Sequence, residues 1–197
     1  MHPSPISDDA LDTIFRDAHT FTRWQDKPVS PALLMAIYDL MRWGPTSANC
    51  SPIRIVFVVS REAKERLRPQ LDANNVDKTM SAPATAVVGF DLDFAERMPF
   101  LYPQVPDAKD WFSDPVLAER ISFRNGSLQG GYFIVAARAL GLDCGPMSGF
   151  DNAGVDREFF ADSRIRSNFL CNIGYGDPVG TRPRNPRLSF EEACRIL

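Results

Sequence analysis

Apolar residues recur along this chain with helical spacing in some stretches and as short continuous runs in others, and their succession sets the expected elements. Ser7 opens a first predicted helix that runs to about His19, with Leu11, Ile14, Phe15 and Ala18 on one face. Ser30-Pro31 supplies an N-cap and a proline at the first helical position, so a second helix is expected to about Trp43. The run Ile53 to Val59 is β-branched and apolar and predicts a buried strand. A second strand, Ala84 to Phe90, is expected after a short helix and an Asn74-Asn75 turn. Residues 93–113 hold three prolines and five aromatics without one period, which reads as an excursion covering something rather than a linker. The longest periodic segment runs from about Pro115 to Leu140, with Gly141 as its C′ residue. Within it Gly126, Gly130 and Gly131 each cost helix stability, which predicts a packing reason. Two further strands (Leu142–Gly145 and Asn168–Gly176) flank a helix around Val155–Phe160. The arginine- and proline-rich stretch 182–187 is expected to be extended, and Ser189 to Glu192 forms a capping box for a short last helix. The order predicts α+β or mixed α/β architecture, one domain over 1–197 with a sheet between helices.

Composition narrows the function. The chain is 44% hydrophobic and 24% charged with a net charge of −3, an ordinary globular profile that argues against a nucleic-acid partner. No apolar run approaches bilayer length and the start lacks signal-peptide character, so no membrane partner and a cytoplasmic location are expected. Cys50, Cys144, Cys171 and Cys194 are scattered, without a CxxC pair, and read as reduced, mostly buried thiols. His2 and His19 are the only histidines, so no metal site is expected.

Four polar, Gly/Pro-rich stretches sit at element ends: Gly44 to Asn49, Asn75 to Lys78, Cys144 to Asp151, and 182–187. Taken alone, the first two read rather as a capped turn and a solvated loop, and the last equally as a basic tail. The third has glycines where backbone would approach a planar ligand, and the arginines of the fourth suit a phosphate. The chain has no GxGxxG, no P-loop, no GxSxG elbow and no Ser/His/Asp set, which leaves chemistry carried by a bound cofactor.

In this order the stretches resemble the nitroreductase family of FMN oxidoreductases, over nearly the whole chain. The resemblance is strongest to the branch that contains malonic semialdehyde reductase of pyrimidine breakdown. It rests on Gly44-Pro45-Thr46-Ser47-Ala48-Asn49, on Asn125-x-Ser127-Leu128-Gln129-Gly130, and on the run from Ala136 to Asp151. It implies an interlocked homodimer with a central mixed sheet flanked by helices, and two FMN sites lined by both chains. Pro45, Thr46, Ser47 and Asn49 would reach the flavin across the interface. Asn75 and Lys78 would lie at the pyrimidine edge, where a cation favours the charge of reduced flavin. Pro146, Met147, Ser148 and Gly149 would lie along the ring, and Arg187 with Arg184 would take the phosphate.

The sequence also departs from the family pattern. Where most members carry a basic Arg-x-Ser-x-Lys/Arg stretch, this chain reads Ala18-His19-Thr20-Phe21-Thr22. His19 and Thr20 still donate hydrogen bonds, but each lost charge-assisted bond is worth about 1.5–3 kcal/mol, which implies weak FMN retention on dialysis. Ser51 and Ile53 stand where many members have Gln and Trp, and Ser148 replaces a common Glu.

The implied activity is hydride relay: NADPH or NADH reduces the flavin at N5, and a small carbonyl compound then takes the hydride. For malonic semialdehyde the product is 3-hydroxypropionate, with Arg54 or Arg124 as candidate partners of its carboxylate. No side chain is assigned as catalytic acid or base. Two readings stand beside this one: an NAD(P)H nitroreductase or quinone reductase of broad acceptor range, and a flavin-binding protein without turnover.

Overall fold

The computed structural model describes residues 4–181 and 183–197. Ser30 accepts a hydrogen bond from the Leu33 amide and opens α1 (Pro31–Met41), whose Leu34, Ile37 and Met41 are buried. β1 (Ile53–Val58) follows, then α2 (Arg61–Leu67), α3 (Ala73–Ser81) and β2 (Ala84–Asp91). The long helix α4 (Pro115–Ala139) leads through Gly141, at φ +76°, into β3 (Asp143–Met147), α5 (Asn152–Phe159) and β4 (Ile165–Gly174).

The four strands pair in the order β1-β2-β4-β3, and every ladder is antiparallel. Among the described residues, parallel pairing enters only through an isolated bridge, Thr20 to Cys144. β2 and β4 are central and β1 and β3 are the edges. Side chains of the central strands alternate between two buried layers, as the period of a strand requires. Ala84, Ala86, Val88, Cys171 and Ile173 face α1 and α4, around Ile37 and Phe133. Val87 and Leu170 face the other way, toward Leu67, Val155 and Phe160 of the α2 and α5 side.

Several elements differ from their expected form. The first helix is a single α-turn (Asp8–Leu11) that widens into a π-turn (Asp12–Arg16), with Arg16 bonded to Asp8 and Asp12. Asn74-Asn75 is not a turn: both residues lie inside α3. β3 extends through Pro146, which an edge strand tolerates because a missing N–H there breaks no central ladder. β4 starts at Ile165, earlier than its apolar run suggests, because Asp91 to Gly89 of β2 pair with it across a register shift. Gly126 and Gly130 have the packing reason expected: a Cβ would lie 2.9 Å from the Phe90 Cβ or 2.5 Å from the Phe169 ring. Gly131 has none, since its Cβ would meet open space.

The 93–113 excursion folds as short turns (Phe94–Arg97, Met98–Leu101, Pro106–Phe112). They bury Phe94, Met98 and Ala108 against Cys50 and Ala118, so the segment packs beside the loop after α1. The capping box forms as expected, with the Ser189 side chain accepting from the Glu192 amide and the Glu192 carboxylate accepting from the Ser189 amide. No helix among the described residues is long and apolar enough to cross a membrane.

Candidate functional site

β3 and the helix docked against it gather most of the residues singled out above. Ser148 and Gly149 leave the strand, and the Gly149 carbonyl accepts from Asn75 Nδ2 at 2.6 Å and from the Asp72 amide at 3.2 Å. Leu71 bridges Phe150, and Thr79 Oγ1 donates to Met147 Sδ at 3.5 Å. α3 is therefore docked along the end of β3. Asn75 and Lys78, three residues apart, share one helix face; Asn75 is buried and Lys78 half-buried. The solvated-loop reading of this stretch is thus replaced by a docked helix. The Lys78 carbonyl is itself held by Trp24 Nε1 at 3.0 Å and Asn172 Nδ2 at 3.2 Å.

Gly149 is a point of close approach. A Cβ there would lie 2.6 Å from Asn75 Nδ2 and 2.7 Å from Asp72 Oδ2. Gly149→Ala should push Asn75 off the Gly149 carbonyl and cost about 1 kcal/mol, the net worth of one such bond. A thermal melt of the variant checks this, and an unchanged midpoint would show that Asn75 moves freely.

The N-terminal stretch runs beside the same strand. Thr20 bridges Cys144, and the Phe21 amide donates to the Cys144 carbonyl at 3.1 Å, so half-buried His19 and exposed Thr20 lie next to β3. Arg184 is drawn to this stretch by donating to the carbonyls of Arg16 (2.6 Å) and Ala18 (2.9 Å). Arg187 bonds only the carbonyls of its neighbours Asn185 and Pro186 and is exposed. Arg182 lies outside the described residues.

The first stretch, Pro45 to Asn49, lies elsewhere. It precedes β1, at the opposite edge of the sheet. Three strand spacings of about 4.8 Å put the two edges about 14 Å apart. Ala48, Asn49 and Ser51 have φ of 48°, 56° and 38°, three non-glycine residues in the left-handed region within four positions. Such backbone persists where its surroundings over-determine it. Here the Ser47 amide donates to Asn125 Oδ1 (2.9 Å), the Ser51 amide to Thr46 Oγ1 (3.1 Å) and the Ile53 amide to Gln129 Oε1 (3.0 Å). Asn49 Nδ2 donates to the Leu101 carbonyl at 2.8 Å, tying the loop to the 93–113 excursion. Buried Asn125 and Gln129 on α4 are therefore what shape this loop.

The sequence model of the nitroreductase family matches residues 2–175, most of the chain. The chain belongs to the nitroreductase family. A Stenotrophomonas maltophilia strain K279a protein, provisionally named NADH dehydrogenase/NAD(P)H nitroreductase, is 60% identical over 188 residues, 95% of each chain. A Caulobacter protein of strain K31 with the same provisional name is 57% identical over 188 residues, 95% of this chain and 96% of its own. Among solved structures, an Exiguobacterium sibiricum nitroreductase in complex with FMN superposes with a TM-score of 0.88. It is 17% identical, covering 99% of this chain and 100% of that one. CLA-ER, an enone reductase of gut-bacterial fatty acid saturation, gives a TM-score of 0.83 at 16% identity, covering 98% of this chain and 100% of that one. At these identities the two structures establish the fold.

Charge at the site of this family member is unevenly spent. Arg54 pairs with Asp91 at 2.6 Å and donates to the carbonyls of Ser51 and Ile53, which removes it as a free cation. Arg16 is held by Asp8 and Asp12. Among the described residues Lys78 and Arg124 have no ion-pair partner. Burial pushes Cys50 up to about 11, and bonding to Cys144 together with burial raises Cys171. Sequence reasoning did not single out Trp24 or Asn172, because one tryptophan or one strand asparagine carries no signal until the helix it grips is known.

Proposed function

We propose that this protein is an FMN-dependent NAD(P)H oxidoreductase that acts as a homodimer and reduces malonic semialdehyde to 3-hydroxypropionate. One observation carries the reading: a single chain gathers His19, Thr20, Pro146, Met147, Ser148, Gly149 and Arg184 around β3, with Asn75 and Lys78 on the α3 helix docked against β3 and β4, and leaves Pro45 to Asn49 ahead of β1 at the far edge. In this reading the second copy brings its Pro45 to Asn49 to complete the site. Exposed Trp43, Leu128 and Tyr132 give that second copy an apolar surface to cover.

The residues fit the cofactor. Lys78 is a cation without an ion-pair partner among the described residues, one turn from the buried amide of Asn75, and at Gly149 the absence of a Cβ brings backbone close to that amide. Asn75 and Lys78 would hold the pyrimidine edge, Pro146 to Gly149 the ring face, and His19, Thr20, Arg184 and Arg187 the ribityl phosphate. Pro45, Thr46, Ser47 and Asn49 would come from the partner copy. When bound, FMN supplies reversible hydride exchange between a nicotinamide and an acceptor. The Lys78 ammonium would favour negative charge at the pyrimidine edge, and of the two arginines considered for the acceptor's carboxylate only Arg124 is without an ion-pair partner among the described residues. The excursion at 93–113, pinned by Asn49 to the Leu101 carbonyl, excludes water from the acceptor.

The names of the relatives favour a second reading, an NAD(P)H nitroreductase or quinone reductase of broad acceptor range. The discriminating experiment records the visible spectrum with added FMN, then adds NADPH without oxygen. Flavin bands that bleach and recover on adding malonic semialdehyde, with kcat/KM above that for a nitroaromatic, are the expected result. Recovery only with the nitroaromatic or quinone gives the second reading. No bleaching leaves a flavin-binding protein without turnover.

A further inference from the structure

A helix leaves its last carbonyls without partners, and the usual remedy is a left-handed glycine just past the end. α3 has none: Ala82 is extended (φ −65°, ψ 141°) and Pro83 follows, which has no N–H to turn back. Side chains take these carbonyls instead. Lys78 O accepts from Trp24 and Asn172, as described above. The ammonium of Lys64, from α2, donates to the carbonyls of Thr79 (3.0 Å), Met80 (3.5 Å) and Ala82. An ammonium has three donors, and here all three are used on one helix end.

Lys64 is only 5% exposed, and no carboxylate pairs with it among the described residues. The charged groups nearby are Arg61, Glu65 and Arg68 on its own side and Asp77 and Lys78 on α3, with Glu65 paired to Arg68 at 3.4 Å. Burying an unpaired ammonium is costly, and burial pulls its pKa down to about 8. What offsets that cost is the partial negative charge of the α3 C-terminus, which a cation complements. The same turn of α3 reaches β3, through Thr79 Oγ1 to Met147 Sδ. Its end is therefore fixed between Lys64 on one side and β3 on the other.

We infer that Lys64 is a positioning residue for the flavin site: by closing the C-terminal end of α3 it sets the direction in which that helix presents Asn75 and Lys78. The inference rests on the FMN reading above. Lys64 touches neither cofactor nor substrate in this scheme, and its effect passes through the helix.

The test compares Lys64→Met and Lys64→Arg by FMN dissociation constant, from quenching of flavin fluorescence, and by amide hydrogen exchange along α3. Each substitution is made in the wild-type chain and in an Asn75→Ala, Lys78→Ala background. Lys64→Met should weaken FMN about tenfold or more and speed exchange in α3, while Lys64→Arg restores most of the affinity. In the double-alanine background the same change should add little, because its route is already cut. Wild-type affinity in Lys64→Met, or an equal loss in both backgrounds, overturns the inference. Should Lys64→Met not fold, Lys64→Gln takes its place, and wild-type affinity there despite faster exchange in α3 overturns it equally. A wild-type chain that binds no FMN sinks the flavin reading itself, a result distinct from either.

Discussion

Replacing Lys78 with alanine is expected to weaken FMN binding by about ten- to a hundredfold, the equivalent of one lost charge-assisted hydrogen bond of about 1.5–3 kcal/mol. The size follows from how the residue is held. Its backbone is fixed by two side-chain donors, Trp24 and Asn172, so the side chain starts from a defined point. Its ammonium is half-buried and has no ion-pair partner among the described residues, so little of its charge is already spent. Partial burial also reduces screening by salt, and the interaction should survive physiological ionic strength. The chain is short of cations here: Arg16 is tied to Asp8 and Asp12, and Arg184 spends one nitrogen on two carbonyls. A fluorescence-quenching titration of FMN reads the effect. Lys78→Ala with unchanged affinity would mean that the flavin's pyrimidine edge lies elsewhere.

The largest expected stability loss is at Phe133. Phe133→Ala should destabilise the fold by about 3–5 kcal/mol, which for a chain of this size lowers the melting temperature by roughly 6–20 °C. Phe133 is fully buried where α4 crosses the sheet, with its ring 6.2 Å from that of Phe57. Its neighbours include Ala84, Ala86, Ala136 and Ala137, short side chains that have no reach to fill the space left. The sheet side is held by the ladders of central β2, so collapse onto the cavity is resisted. Differential scanning calorimetry checks the prediction, and a drop of only a degree or two would show that α4 shifts to close the gap.

Much of the local structure was legible because it depends on neighbours in sequence. Ser30-Pro31 starts α1, Gly141 ends α4 in the left-handed region, and Ser189 to Glu192 form their reciprocal cap, each a contact spanning a few residues. Asn75 to Lys78 was not legible in this way. Asn and Asp are poor helix formers, and a polar tetrad before a strand reads as loop. The helix exists because contacts from distant residues hold it: Gly149 at its start, Trp24, Asn172 and Lys64 at its end. Arg54 misled for a related reason, since a lone arginine looks free until the register of β1 and β2 brings Asp91 to it.

By itself, then, the sequence determined the periodic elements and their caps, the four stretches that carry polar chemistry, and the family, through runs specific enough to survive without a structure. Only the tertiary structure decided which of those stretches meet. Strand order is not encoded in any local period, because the pairing β1-β2-β4-β3 depends on which apolar faces cover each other across the whole chain. That order put Pro45 to Asn49 ahead of edge strand β1 while α3, with Asn75 and Lys78, docked on β3 and central β4, and made a buried lysine of α2 the partner of a helix end that no sequence rule connects to it.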